Sequence, residues 1–428
     1  MQFERLTLSG DPTTLAAELR ELVAPPDTVQ EQVAEIIARV RASGDDALRF
    51  YTRELDTGGT TPSALRVPDA ELDTAAERLN DQLRAALRLA IDNVMRVAEA
   101  ALTPERTVNF EGHEVKLREV AVDRGAVYVP GGRAPYPSTV VMGVVAARVA
   151  GVKEIAVCAP PGRDGEVNAA VLGACRLAGA SVVYRMGGAQ AIAALAYGSE
   201  TVAPVDVIVG PGNLYVQEAK RQVSGSVGID GFAGPSDLLL IADDDSTHTV
   251  PEVLALDLLA QAEHGAGSLV VAISDSGELL DALGERIGAE SGLRAEEQAV
   301  IRLVQVSELE QALTIAETFA PEHLQLVGSG AEALAGRVRH AGCVLVGADS
   351  GTAFADYVAG SNHVLPTNAA ARFASALSPQ HFRRRISEVR IGDGAAALAR
   401  AAAPLARAEG FELHAQSMEA RIRDNDEV

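Results

Sequence analysis

A chain of 428 residues is too long for one ordinary hydrophobic core, so two main domains are expected. Its 47% hydrophobic and 22% charged residues exclude a disordered polypeptide. A formal charge of −22 at pH 7 excludes the basic surface that nucleic acid or an anionic membrane requires.

The opening MQFERLTLSGDP carries acids and no apolar core, so it reads as an arm (1–24) and not as a signal peptide. Residues 12–102 have helical texture. DTVQEQVAEIIARVRASG sets Val29, Val33, Ile36, Ile37 and Val40 on one stripe, starting after Pro25-Pro26 and ending at Gly44. Residues 69–101 repeat that period, and a strand pair is expected over 108–122. The longest apolar stretch, 140–152, is broken by Arg148 and Gly151 and is too short to span a bilayer. A soluble, cytoplasmic protein is expected. Its three cysteines, Cys158, Cys175 and Cys343, all lie in apolar runs and read as small buried hydrophobes, not as a disulfide framework.

From residue 126 short β-branched runs alternate with helical segments: VYVP, EIAVCAP, SVVYRM and DVIVG, then DLLLIA, SLVVAIS, VIRLVQV, HLQLV and GCVLVG. This alternation predicts an α/β protein with two Rossmann-like, doubly wound parallel sheets and helical extensions at both ends. The expected division is 25–127 with 237–377 as one α/β domain, 128–236 as a second, and 378–428 as a helical tail. No low-complexity linker separates the halves, so a ligand cleft between them is expected.

Glycines follow strands at Gly131-Gly132, Gly187-Gly188 and Gly210/Gly212. Such turns expose backbone N–H groups that can hold phosphate, but most βα turns use glycine for backbone reasons alone. Gln261 and His264 stand three apart near a helix end at Gly265. They could offer oxygen and nitrogen to a metal, or be a solvent-facing amide and a capping imidazole. Glu322-His323 joins a carboxylate to an imidazole ahead of a strand, which suits proton transfer and also suits an ordinary surface. Asp356, Asn362 and His363 crowd one loop, and Glu409 and His414 flank Gly410 in the tail. H-E-x-x-H, paired CxxC and G-x-S-x-G are missing, which removes the common zinc-protease, zinc-ribbon and serine-hydrolase readings. His113, His248, His340 and His381 receive no role.

In order, YVPGGRAPYPS, GGAQAIAALAYG, VGPGN, EAKRQV, IDGFAGPSDLLLIAD, DLLAQAEHG, APEHLQL, DYVAGSNHVLPT and AEGFELHA resemble the histidinol dehydrogenase family over residues 127–414. The resemblance implies oxidation of L-histidinol through the aldehyde to L-histidine, with two NAD reduced and one zinc per subunit. It implies zinc ligands Gln261, His264, Asp356 and His414, the same four also holding substrate. His323 is implied as the base and a substrate contact, and Glu322 as the activator of water. Tyr128, Gln190 and Asn213 are implied as NAD contacts, and Ser236, His363 and Glu409 as substrate contacts. A homodimer is implied in which Glu409 and His414 reach the partner's site. This chemistry needs no thiol.

Two departures stand out: Asp237 replaces the family's usual Glu, and the loop 243–251 is longer than expected. Two rival readings remain. One is a same-family dehydrogenase of another primary alcohol, such as a sulfonated diol; the other is a non-catalytic zinc protein on the same scaffold.

Overall fold

The computed structural model describes residues 3–22, 29–131, 134–232, 234–245, 250–265, 267–289 and 299–422. Pro25-Pro26, Gly132, His248 and residues 246–249 of the longer loop lie outside them. The strands in chain order are β1 (Phe3–Thr7), β2 (Arg106–Phe110), β3 (His113–Ala121), β4 (Arg124–Tyr128), β5 (Glu154–Ala159), β6 (Val182–Arg185) and β7 (Val207–Val209). They continue with β8 (Gly228–Ile229), β9 (Asp237–Ala242), β10 (Leu269–Ser274), β11 (Val300–Gln305), β12 (His323–Val327), β13 (Cys343–Val346) and β14 (Arg383–Ile391).

The β-branched and leucine runs form two parallel sheets. β9 and β10 are buried along their whole length, which is why they read as continuous apolar runs without alternation. One sheet is ordered β6-β5-β4-β7-β8 and the other β1-β11-β10-β9-β12-β13. Counting strands from the first of each half, both have the winding 3-2-1-4-5, with β1 added at the edge of the second. Apolar cores cover both faces of the β9 sheet. The helix Pro137–Ala150, apolar all round, is buried against the β4 sheet, which accounts for the longest apolar run in the sequence.

The chain falls into two compact units, 1–101 with 123–382, and 102–122 with 383–428. This differs from the division expected from sequence. Both parallel sheets belong to the first unit. The N-terminal arm is not separate, because β1 pairs with β11 and the helix Pro12–Glu21 packs on the helix Leu309–Phe319. The helices Gln30–Tyr51, Asp69–Arg78 and Asp81–Ala100 pack on the helices Gly188–Tyr197, Ala169–Ala178 and Pro137–Ala150. They therefore accompany the β4 sheet, not the β9 sheet: an apolar stripe shows that a helix is covered, not by what. The first of them kinks at Gly44 (φ +47) instead of ending there, and the Glu200 carboxylate accepts from the Asp45 N–H at 2.7 Å.

In the second unit β2 and β3 form the expected pair, and β14 adds to β3 in antiparallel register along nine residues. The tail is thus not purely helical. RRRISEVRI lacks clean alternation, and cross-strand charges such as Arg385–Glu119 (2.9 Å) and Arg118–Glu388 (3.6 Å) support it. The helices Ala395–Ala408 and Glu412–Glu419 pack on each other. Among the described residues no helix is long and apolar enough to cross a membrane.

Candidate active site

The carboxyl ends of β4 to β7 surround a cavity of about 1260 Å³. Tyr128, Gln190 and Asn213 all line it. β4 and β7 diverge here at the switch point of the winding, where parallel sheets open a crevice. Gly210 follows β7 with φ +113, and any Cβ there would run into the Tyr128 carbonyl. The Tyr128 hydroxyl accepts from the Gly188 N–H (3.1 Å), and burial pushes its pKa up. Asn213 caps the helix Leu214–Val223 by accepting from the Val216 N–H (3.1 Å). Gln190 is fully buried and donates to Asp56 (3.1 Å), while its Oε1 is buried with no hydrogen-bond partner.

Asp56, which sequence reasoning missed, closes the inner wall. It stands on the π-helical turn Thr52–Thr57 and accepts from the Gly187 N–H (3.1 Å) as well as from Gln190. Burial raises its pKa to about 6, against the lowering effect of those two hydrogen bonds. Nothing in RELDTGG marks this residue out, since its role depends on packing against a loop that is distant in the chain.

A second cavity, of about 380 Å³, joins this edge to the amino edge of the β9 sheet. Pro130 borders both cavities. Tyr136, Thr139 and Gly212 lie on one side; Ser236, Gln261, His264, Glu322, His323, Asp356 and His363 lie on the other. Ser236 immediately precedes β9, and Glu322-His323 opens β12, so the adjacent parallel strands deliver them side by side. The helix Pro251–Ala262 carries Gln261 in its last turn, and Gly265 (φ +92) follows just past His264. Asp356 comes from the short helix Thr352–Tyr357.

The side chains interlock. Gln261 Nε2 donates to Ser236 Oγ (2.6 Å), which donates to Glu322 Oε2 (2.6 Å). His323 Nε2 shares a hydrogen bond with Asp356 Oδ1 (3.3 Å), while Nδ1 lies 4.0 Å from Glu322 Oε2 and is buried without a hydrogen-bond partner. His363 is held at both ring nitrogens, by the Asp356 carbonyl (2.7 Å) and the Thr139 hydroxyl (3.2 Å).

Burial pushes the Glu322 carboxyl up to about 7; His323 opposes this and Asp237 adds to it. For His323, burial alone would lower the pKa, but the Asp356 bond and the Glu322 charge outweigh it and raise it. For Asp356, burial would raise the pKa, but the His323 contact leaves it below its usual value. Burial lowers His264 and His363 toward the neutral imidazole. A buried carboxyl raised to about 7 beside a buried imidazole raised by its acidic neighbours is an arrangement suited to proton transfer.

Glu409 and His414 belong to the second unit. Both are exposed there, and the His414 ring packs near Phe411 with centroids 5.1 Å apart. Among the described residues no three His, Cys, Asp or Glu side chains gather at metal-binding spacing. His264, Asp356 and the amide of Gln261 face the small cavity together with Glu263, Glu322, His323 and His363. Cys158 and Cys175 are buried as expected; Cys343 is half-buried because β13 is an edge strand. Burial raises the pKa of all three, that of Cys343 to about 11, so none is a thiolate at neutral pH.

A nucleotide-sized crevice at one sheet's switch point, sharing Pro130 with a small cavity lined by a buried acid–base pair, is the layout of a dinucleotide-dependent oxidoreductase. The family described as histidinol dehydrogenase matches residues 22–422. Histidinol dehydrogenase of Parasynechococcus marenigrum is 43% identical over 420 residues, covering 95% of each chain. That of Natronomonas pharaonis is 41% identical over 415 residues, covering 95% of this chain and 96% of its own. The crystal structure of histidinol dehydrogenase from Elizabethkingia anophelis superposes with a TM-score of 0.90 at 30% identity, covering 98% of each chain. The chain belongs to the histidinol dehydrogenase family.

Proposed function

We propose that this chain oxidises L-histidinol to L-histidinaldehyde and then to L-histidine, consuming one water and reducing two NAD. The observation that carries the reading is the buried Glu322–His323 pair, set in a small cavity that meets the large one at Pro130.

In the first oxidation His323 accepts the alcohol proton as the carbon gives up hydride. Glu322 then takes a proton from water as that water adds to the aldehyde, and His323 accepts the proton of the resulting hydrate in the second oxidation. Asp356 holds the imidazole through Nε2, and Ser236 holds the Glu322 carboxylate. Bound NAD supplies the hydride acceptor. Tyr128, Gln190 and Asn213 are the proposed contacts in its cavity, and the orphaned Gln190 Oε1 fits a hydrogen-bond donor from a ligand.

The residues also fit a zinc ion. A neutral imidazole, a carboxylate held ionised and an amide oxygen form a mixed nitrogen–oxygen set, and His264, Asp356 and Gln261 present it to one cavity. Bound zinc supplies a Lewis-acid anchor for the imidazole and amine of substrate. We assign the fourth ligand to His414, and substrate contacts to Ser236, His323, His363 and Glu409 with the four zinc ligands. Glu409 and His414 serve the neighbouring subunit of a homodimer in this proposal. Support comes from the exposed Leu405, Phe411 and Leu413 beside them, an apolar surface that a second copy would cover. A cytoplasmic location is also proposed, consistent with three unpaired cysteines.

NADH formation with L-histidinol tests the reading directly. Two NADH per histidinol are expected. Turnover of a sulfonated or simple diol without turnover of histidinol would establish the other alcohol specificity. Failure of NAD to bind, with and without zinc, would leave only a metal-binding protein.

A further inference from the structure

Glu322 is held from behind by a network that reaches the N-terminal helix. Asp237, the first residue of β9, has a side chain only 1% exposed. Its Oδ1 accepts from the Glu322 backbone N–H at 2.6 Å, and its own N–H donates to Glu322 Oε2 at 3.2 Å. The two acids thus clasp each other across β9 and β12, main chain to side chain in both directions. Two neighbouring buried carboxylates repel, and each lacks the solvation that water would give.

A guanidinium answers them from the N-terminal helix. Arg20, from the helix Pro12–Glu21, donates through Nη1 to Asp237 Oδ2 at 2.7 Å. Burial pushes the Asp237 pKa up, and the Arg20 charge is the strongest influence drawing it back down. Nη2 of Arg20 donates to the Phe319 carbonyl at 2.6 Å, and the guanidinium stacks 3.5 Å over the Phe319 ring. Phe319 ends the helix that leads through Ala320 and Pro321 to Glu322. The guanidinium therefore touches both supports of Glu322: the acid that clasps it and the helix end from which its chain emerges.

We propose that Arg20 is a positioning residue for the proton transfer at Glu322. It acts through Asp237, neutralising that carboxylate so that it can hold the Glu322 backbone without displacing the Glu322 carboxylate. This rests on the reading of Glu322 as the group that activates water. Its consequence is specific: the aldehyde-to-acid oxidation depends on Arg20 more than the alcohol oxidation does, because only the former needs water activated by Glu322.

The test compares Arg20→Met, Asp237→Asn, the double variant and Glu322→Gln in the full-length enzyme. NADH formation is followed separately from L-histidinol and from L-histidinaldehyde, well below each variant's melting temperature. Arg20→Met should slow kcat on the aldehyde about tenfold or more, with KM for histidinol and NAD within about twofold. In the double variant the amide oxygen introduced by Asp237→Asn can still accept from the Glu322 N–H, and no buried charge is left unpaired at that position. The aldehyde rate should then recover to within about threefold of the parent. Packing glue alone would not give that recovery, since the double variant lacks the ion pair altogether. If Arg20→Met fails to fold, the double variant decides: folded and fast supports the proposal, folded and slow on the aldehyde overturns it. A parental aldehyde rate in Arg20→Met also overturns it, as does equal slowing of both oxidations. Glu322→Gln separates the two levels of failure. A fast Glu322→Gln removes the role of Glu322 itself; a slow Glu322→Gln beside a fast Arg20→Met removes only that of Arg20.

Discussion

The β4 and β9 sheets share one winding and use opposite ends of it. In the β4 sheet the crevice at the carboxyl switch point is open, and the 1260 Å³ cavity lies there. In the β9 sheet the corresponding crevice, between β9 and β12, is filled from within. Asp243 follows β9, and its carboxylate accepts from the Ala331 N–H at 2.9 Å. A Cβ at Gly328 or Gly330 would collide with that carboxylate. The proposed catalytic residues of this sheet stand instead at its amino edge, where Ser236, Glu322 and His323 meet the carboxyl edge of the other. Winding offers a place for a ligand, but the side chains at each end decide whether the place is taken.

The largest effect is expected at His323. His323→Ala should lower kcat by about 10²–10⁴, the usual range for losing a general base. NAD should still bind, because its proposed cavity belongs to the other sheet; a calorimetric titration showing lost NAD affinity would mean that the edges are not independent. Next comes His414→Ala, expected to abolish zinc retention and turnover while leaving the fold and NAD affinity intact. Elemental analysis that still found one zinc per chain would remove His414 from the ligand set. Mixing this variant with His323→Ala should restore about a quarter of parental activity, since half the dimers would hold one complete site of two. No recovery after remixing would argue against a site shared between subunits.

Smaller effects sharpen the contrast. Gly210→Ala forces a β-carbon against the Tyr128 carbonyl at φ +113, and should cost about 1–3 kcal/mol and raise KM for NAD. Asp56 has its pKa raised from 3.8 to about 6, so the folded state binds its proton more tightly than the unfolded state does. Stability from this group is fully present below pH 3.8 and is lost as pH rises through about 6. The loss is at most about 3 kcal/mol, and Asp56→Asn should flatten that part of the melting-temperature profile. Least of all, Asp243→Ala should cost about 1 kcal/mol through the lost hydrogen bond from the Ala331 N–H, with kcat and both KM values unchanged. A change in KM for NAD there would show that the filled crevice still communicates with the nucleotide.

Much of the fold was legible. Runs such as DLLLIA and SLVVAIS are strands because burial on both faces demands continuous apolar side chains, and β9 and β10 stand where those runs fall. The helix leading to Gln261 and His264 was visible from LALDLLAQAEHG and its glycine. β14 was not, because RRRISEVRI is held by partners on β3 and carries no strand periodicity of its own. The partnership of the helices 30–51, 69–78 and 81–100 was equally hidden, since a stripe names a face and no neighbour.

For the site, local order in the chain determined the residue types: a Glu-His pair, a Gln and His near a helix end, an acid-rich loop. The ordered motifs identified the family. Tertiary structure alone decided that Glu322 is clasped by Asp237 and steadied by Arg20, a residue from the far N-terminal end of the chain. It alone decided that Asp56 closes the large cavity, that Asp243 fills the opposite crevice, and that the amino edge of the β9 sheet faces the carboxyl edge of the β4 sheet. The physical reason is common to all of these. A buried charge is tolerated only beside its partner, and partners distant in sequence are brought together only by packing.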